Sequence, residues 1–204
     1  MVQPPLSVDL VEGLDLVPAP AETAPAALFM LRRGAVLLAR AAPIDDLGGP
    51  RARDAFALLS EDERARLGRF RFERDRALYL TAHALLRVTL SRCHGLPPAT
   101  WRFAGGPHGR PELVDSPAPL RFNLSHTHGL AVCAVTLEDD IGVDVEVVDD
   151  DPPIAVADRW FCDSEVEVIR GAAPADQARR FFELWTLKEA YLKDRKSTRL
   201  NSSH

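Results

Sequence analysis

The chain has 204 residues, of which 46% are hydrophobic and 27% are charged, and its formal net charge is −5. This length and apolar content suit one domain of ordinary size or two small ones. The net charge argues against general nucleic-acid binding, which needs a basic face, and no stretch approaches the roughly 18 apolar residues of a membrane span. The first residues have no basic region followed by an apolar run, so we expect a cytoplasmic protein.

The three cysteines, Cys93, Cys133 and Cys162, are far apart in the sequence and form no C-x-x-C pair. Neither a disulfide framework nor a zinc site is indicated by this odd number and spacing. We therefore expect buried or free thiols.

The first elements are weakly patterned. Residues 1–30 are rich in Pro and Ala and predict an irregular arm, whereas residues 27–41 alternate in polarity enough to predict strands.

Residues 59–95 carry the strongest helical pattern of the chain. Ser60 followed by Glu63 is a capping box that predicts the start of a helix. Gly68 predicts a break into two helices, and Gly95, followed closely by a proline, predicts the end.

Further along, residues 101–136 read as short strands joined by Gly and Pro turns. Residues 138–140 predict an acidic turn, which we take as a domain boundary, and residues 149–153 predict a linker into a helical region. Two helices are expected there. The first covers residues 161–171, with Asp163 or Ser164 as its cap, and the second covers residues 175–195.

Residues 141–147 alternate between apolar and other residues and predict a strand with Asp144 and Glu146 on one face. Two neighbouring carboxylates repel each other unless a divalent cation lies between them, and Mg²⁺ is usually bound by one or two carboxylates. The alternative is a solvated strand face whose acidic residues serve solubility.

Trp185, Glu189 and Lys193 recur at every fourth position of the last predicted helix and therefore share one stripe. If that stripe faces the acidic strand, Glu189 becomes a third metal ligand and Lys193 a cation for a phosphate. The alternative is a Glu–Lys surface pair with the tryptophan in the core.

Four segments in order give a family resemblance. Residues 142–146 fit G-[VI]-D-[VI]-E and residues 185–193 fit W-[ST]-x-K-E-[AS]-x-x-K, while upstream the chain reads "GRPEL" and "FNLSHTHG" after the arginine-rich "RFRFERDRALYLTAHALLR". Together these segments resemble the 4'-phosphopantetheinyl transferase superfamily, surfactin-synthetase type. The resemblance covers about residues 59–193.

The resemblance implies an α+β fold of two similar halves. Residues 1–139 would form the half that binds the nucleotide end of coenzyme A, and residues 140–195 a partial second half with the metal and catalytic motifs. Residues 196–204 bear no likeness to the family and read as a disordered or non-native tail on a chain truncated at its C-terminus.

The resemblance also implies an activity. It is the Mg²⁺-dependent transfer of 4'-phosphopantetheine from coenzyme A to a serine of an apo acyl or peptidyl carrier protein, with release of adenosine 3',5'-bisphosphate. Carrier proteins of fatty-acid, polyketide or nonribosomal-peptide synthesis are the expected partners, and the two-half layout implies a monomer.

By the same resemblance, Asp144, Glu146 and Glu189 would hold Mg²⁺, and Lys193 would contact the phosphates. Glu165 is the expected base for the serine proton, with Glu167 as the alternative. A cap at the N-terminus of its helix is the other reading of Glu165.

Arg110, Ser125 and His126 match the family positions that bind the 3'-phosphate and adenine end of coenzyme A. Arg66 and Arg69 would also reach its phosphates, although most arginines of that segment alternate with acids, as on a solvated face.

Two other functions compete with the transferase: a noncatalytic module that binds coenzyme A or a carrier protein, and a Mg²⁺-dependent nucleotide pyrophosphatase that uses water in place of serine.

Overall fold

A computed structural model of the chain describes residues 7–11, 31–106, 111–149, 152 and 154–198. The strands are β1 (Ser7–Val11), β2 (Ala35–Ala41), β3 (Arg102–Gly105), β4 (Pro111–Val114), β5 (Leu120–Thr127) and β6 (Leu130–Leu137). The helices are α1 (Pro50–Leu58), α2 (Glu61–Leu67), α3 (Glu73–His94), α4 (Ile154–Trp160), α5 (Asp163–Gly171) and α6 (Pro174–Thr198). This mixture confirms the α+β class.

Four strands form the main sheet in the order β1-β2-β6-β5, with β1 parallel to β2 and the other pairs antiparallel. A tight turn through Gly129, at φ 82°, joins β5 to β6. The strands predicted within residues 27–41 and 101–136 are confirmed by β2 and by β3 to β6. The prediction of an irregular arm is wrong at β1, because the edge of β2 offers this short alternating segment a parallel partner.

Helix α3 packs across β2, β5 and β6 and forms the main core with them. The capping box is confirmed: the Ser60 hydroxyl accepts from the Glu63 N–H, and the Glu63 carboxylate accepts from the Ser60 N–H. Gly68 ends α2, and Gly95 ends α3 in the left-handed conformation at φ 79°, as predicted. Helix α1 was not predicted, although Pro50 at its first turn is a typical start signal.

Residues 141–149 adopt no regular secondary structure, so the predicted strand over residues 141–147 is wrong. A strand needs a hydrogen-bonded neighbour, and no described strand pairs with this segment. Side chains take that place instead. The Asn123 side-chain oxygen accepts from the Val143 N–H at 3.0 Å, and the Lys193 ammonium donates to the Val143 carbonyl at 3.3 Å.

Helices α4, α5 and α6 enclose a second, smaller core around Phe161, Ile169 and Phe181. The cap of α5 is Cys162 rather than the predicted Asp163 or Ser164. Within the described ranges, no helix combines the length and apolar character that a membrane crossing needs.

Helix α6 ends at Thr198, beyond the predicted end at residue 195, and residues 199–204 of the predicted tail lie outside the described residues.

All three cysteines are free thiols, as expected. Burial raises the pKa of Cys93 to about 12 and raises that of Cys133 further, whereas Cys162 is exposed.

Candidate functional site

Three of the predicted site residues meet where β5, the segment after β6 and α6 come together. The Lys193 ammonium donates to Asp144 Oδ1 at 2.6 Å and to the Ser125 hydroxyl oxygen at 2.9 Å. The Ser125 hydroxyl in turn donates to Asp144 Oδ1 at 3.0 Å. Side chains from three separate motifs therefore form one polar cluster.

The local fold places each of these groups. Ser125 lies inward on β5, opposite Val132 of β6, and is buried. Asn123, two residues earlier on the same face of β5, holds the Val143 backbone and so fixes the neighbouring Asp144 over the strand. Lys193 reaches the cluster from the end of the α6 stripe.

Asp144 is the most buried charge of the cluster, because its side chain is only 6% exposed. Oδ1 has two donors, whereas Oδ2 is buried without a hydrogen-bond partner among the described residues. A buried carboxylate oxygen without a donor is costly unless a cation or a donor from outside the protein supplies the missing contact.

Glu146 and Glu189 are the other two predicted metal ligands. Burial raises the pKa of Glu146, and the negative charge of Asp144 raises it further, with a smaller contribution from Glu189. The Lys193 charge and a hydrogen bond from Trp185 oppose this rise. The carboxylates are therefore neighbours, yet among the described ranges no three acidic, His or Cys side chains converge closely enough to hold a metal ion.

A cavity of about 630 Å³ opens beside the cluster, between α2, α3, β3 and β5. Arg66 and His126 line it, as do the rings of Phe70 and Tyr79. The Arg66 guanidinium lies 5.9 Å from the centre of the Tyr79 ring, and Phe70 lies 5.1 Å from the same ring. The exposed Arg66 guanidinium beside an apolar, aromatic wall suits a ligand with a flat ring and a phosphate.

His126 stands between the cavity and the polar cluster. Although His126 is exposed overall, desolvation of its ring lowers its pKa, and the positive charges of Lys193 and His83 lower this pKa further. The cavity and the cluster are therefore adjacent parts of one surface.

Glu165 acts as a helix cap. Its carboxylate accepts from the Cys162 N–H and from the Lys188 ammonium, each at 2.8 Å. These two hydrogen bonds, the one from Lys188 first, lower the pKa of Glu165. Glu167, the alternative base, is exposed. The geometry thus shows the cap and the link between α5 and α6.

Arg69 and Arg110, the other two arginines expected to bind coenzyme A, are not placed at the cavity as Arg66 is. Arg69 is exposed and is not among the residues that line the cavity. Arg110 lies outside the described residues.

Two family models match the chain. Residues 50–138 match the model described as "4'-phosphopantetheinyl transferase, N-terminal", and residues 140–201 match the 4'-phosphopantetheinyl transferase superfamily model. The chain belongs to the 4'-phosphopantetheinyl transferase superfamily.

Curated members of the superfamily are similar over most of this chain. The chain is 37% identical to the 4'-phosphopantetheinyl transferase HetI of Nostoc sp. over 69% of its own length and 60% of HetI. It is 30% identical to psf-1 of Bacillus pumilus, over 74% and 64% of the two chains. It is 29% identical to Sfp of Bacillus subtilis, over 67% and 60%. The chain thus matches about three fifths of the length of these 4'-phosphopantetheinyl transferases.

The sequence analysis missed three side chains beside the cavity, namely Glu63, His83 and Arg87. Glu63 was used only as a capping residue, yet its carboxylate also binds both of the others. The spacing of His83 and Arg87, four residues apart on α3, could have shown that they share a face. That spacing does not show that Glu63 of α2 is the partner of both side chains.

Proposed function

We propose that this chain transfers 4'-phosphopantetheine from coenzyme A to a serine of an apo acyl or peptidyl carrier protein and releases adenosine 3',5'-bisphosphate. One observation carries the proposal: Ser125, Asp144 and Lys193, from three separate superfamily motifs, form a single cluster beside a cavity lined by Arg66, His126 and aromatic rings.

The proposed reaction makes a bond between the serine oxygen and the β-phosphorus of coenzyme A and breaks the bond to the adenosine bisphosphate. Such a transfer depends on charge neutralisation and positioning more than on covalent help from the protein. Lys193 supplies a fixed cation, and Ser125 adds a hydroxyl next to it. Both would bind phosphate oxygens that approach from the cavity.

The acidic residues offer the oxygen donors that Mg²⁺ prefers, although three of them do not converge on one point within the described residues. Asp144 offers a buried oxygen without a partner, and Glu146 and Glu189 add hard oxygen donors close by. We propose these three as the metal ligands. When bound, the ion would neutralise charge on the pyrophosphate.

The nucleotide end of coenzyme A is assigned to the cavity. Arg66 and His126 line it and would contact its phosphates, and the adenine would lie against the apolar side chains of its wall. Arg69 and Arg110 complete the proposed set on motif resemblance alone.

We propose that one of the two α5 carboxylates, Glu165 or Glu167, is the base that takes the proton of the carrier serine. Glu165 is the base that the resemblance implies, but its two hydrogen bonds and lowered pKa make it a weak acceptor. Glu167 has the greater exposure. Glu165→Gln and Glu167→Gln, assayed for transfer, decide between them.

The proposal includes a division of labour between two similar halves. Residues 1–139 would bind the nucleotide end and residues 140–195 would supply the metal and catalytic groups, in a cytoplasmic monomer. The separate family matches to residues 50–138 and 140–201 support this division.

The test combines the chain with coenzyme A, Mg²⁺ and an apo carrier protein and follows the carrier by mass spectrometry. A gain of one phosphopantetheine, absent when the acceptor serine of the carrier is replaced by alanine, is the expected result. Coenzyme A binding without that gain would indicate a noncatalytic module. Carrier-independent cleavage of coenzyme A would indicate a pyrophosphatase.

A further inference from the structure

His83 of α3 is a side chain of the cavity wall to which neither the motifs nor the proposed function give a role. It lines the cavity with His126, and its side chain is 20% exposed. Its ring lies 4.0 Å from the ring of Tyr79, at 30° to it. The imidazole is therefore held in one orientation on a packed aromatic wall.

Glu63 determines which nitrogen of His83 carries a hydrogen towards the protein. The His83 Nδ1 lies 2.9 Å from Glu63 Oε1. Although burial raises the pKa of Glu63, hydrogen bonds from His83 and Ser60 and the charge of Arg87 lower it to about 2. The carboxylate is ionised near neutral pH and can only accept, so Nδ1 donates and Nε2 is left on the opposite edge of the ring.

The charge of Glu63 is already balanced. Arg87, whose side chain is 1% exposed, donates to Glu63 Oε2 from Nε at 3.1 Å and from its terminal nitrogen at 2.7 Å. When both ring nitrogens of His83 carry a hydrogen, the ring therefore presents a positive charge that Glu63 does not cancel. Arg66 and His126 stand on the same wall.

We infer that His83, oriented by Glu63, is a ligand-binding residue that donates from Nε2 to a phosphate of the nucleotide in the cavity. This inference deepens the proposed function and depends on it for the ligand. His83 and His126 line the same cavity, so the phosphate is the one that the proposed function assigns to His126. In coenzyme A this is the 3'-phosphate at the nucleotide end.

If His83 binds the phosphate, the donor at Nε2 matters; if its role is purely structural, the donor at Nδ1 matters. Two substitutions separate these cases. His83→Asn places an amide N–H near Nδ1, so it keeps the donor to Glu63 and removes the donor at Nε2. His83→Gln places its N–H near Nε2 and loses the donor to Glu63. His94→Gln, at the exposed end of the same helix, is the matched control.

The experiment measures the dissociation constants of coenzyme A and 3'-dephospho-coenzyme A by calorimetry for the wild type and the three variants. A charged hydrogen bond to phosphate predicts that His83→Asn weakens coenzyme A binding about tenfold and dephospho-coenzyme A binding less than about twofold. His83→Gln should stay within about threefold of the wild type for both. Equal coenzyme A affinities for His83→Asn and His94→Gln would overturn the inference, as would an equal loss for both ligands.

A spectroscopic measurement covers the case in which a variant does not fold. Adenosine 3',5'-bisphosphate, added to the ¹⁵N-labelled wild type, should move the Nε2 resonance of His83 and leave that of His94 in place. An unmoved His83 would overturn the inference.

The carrier assay separates this inference from the proposed function. Transfer by the wild type, with no change of coenzyme A affinity in His83→Asn, defeats the inference alone. Coenzyme A binding that depends on His83, with no modified carrier, defeats the transferase alone. A wild type that binds no coenzyme A defeats both.

Discussion

Asp144 has two roles in the cluster: its Oδ1 binds other side chains of the protein, and its Oδ2 is left for a ligand. Oδ1 is held by Ser125 and Lys193, which fixes the carboxylate and balances its charge. Breaking a buried ion pair from one side leaves the other charge uncompensated. A substitution of Asp144 therefore affects both the position of Lys193 and the proposed metal.

We expect Asp144→Ala to lower the turnover number for carrier modification about 100-fold or more while coenzyme A binding stays measurable, because the nucleotide end is held elsewhere. Arg110→Ala should mainly raise the Michaelis constant for coenzyme A, about tenfold, since it removes binding to a remote phosphate. Steady-state kinetics with varied coenzyme A measure both constants.

Asp139→Ala, which removes an exposed carboxylate from the preceding turn, is the control and should leave both constants unchanged. Arg110→Ala with turnover as low as that of Asp144→Ala at saturating coenzyme A would move Arg110 into the catalytic group.

Glu63 predicts how the fold responds to acid. Its pKa is about 2 in the folded protein against an ordinary 4.5, so the folded state holds fewer protons than the unfolded state between these values. Stability from Glu63 is thus complete above about pH 4.5 and is lost as pH falls towards 2. Glu63→Gln should lower the free energy of unfolding at pH 7 by about 3 kcal/mol and flatten this acid dependence.

Urea unfolding between pH 2 and 7 checks the result. Glu61→Gln, on the exposed first turn of the same helix, should change neither the stability nor its slope. The same steep acid dependence in Glu63→Gln would show that other carboxylates cause it.

At the scale of elements, the helix ends were predictable because their signals are local. Ser60 and Glu63 form their capping box within one turn, and Gly68 and Gly95 end helices by their own backbone conformations. The segment 141–149 was not predictable in this way, since its alternation is that of a strand while its actual partner, Asn123, lies 20 residues earlier. An alternating pattern specifies a face but does not provide a neighbouring strand.

The two glycines give a matched pair of substitutions. Gly95 has φ 79°, where a β-carbon is strained, whereas Gly68 is right-handed at φ −64° and has room for one. Gly95→Ala should lower the free energy of unfolding by about 1 kcal/mol. Gly68→Ala should leave it unchanged or raise it by up to about 1 kcal/mol.

Thermal and urea unfolding of both variants measure the difference. Equal effects of the two substitutions would contradict the left-handed end of α3.

At the scale of the molecule, several large apolar side chains in the second half of the chain are exposed to solvent. Large apolar side chains around the outer part of α6 and the segment before α4 are between 43% and 67% exposed: Val147, Val148, Leu187, Tyr191 and Leu192. The stripe of Trp185, Glu189 and Lys193 was visible in the sequence, but which apolar side chains of α6 remain uncovered depends on packing. Grouped exposed apolar residues favour association.

We expect Leu187→Glu to reduce the binding of a hydrophobic dye, because Leu187 is 67% exposed. The free energy of unfolding should change by less than about 0.5 kcal/mol, as is usual at the surface. Dye fluorescence and urea unfolding are the measurements.

Ala175→Glu adds the same charge to an exposed position on the first turn of α6 and is the control. A similar reduction in both variants would assign the effect to charge rather than to lost apolar surface.

Lys193 makes the polar cluster depend on distant parts of the chain. Its hydrogen bonds to Asp144, Val143 and Ser125 close loops of 49, 50 and 68 residues. The sheet needs still longer closures, because its β2–β6 pairs join residues 90 to 100 positions apart, from Ala41 with Ala131 to Val36 with Thr136. Closing long loops costs entropy before the contacts compensate for it. We therefore expect the local helices to form first in a refolding chain, and the sheet and the polar cluster to form after them.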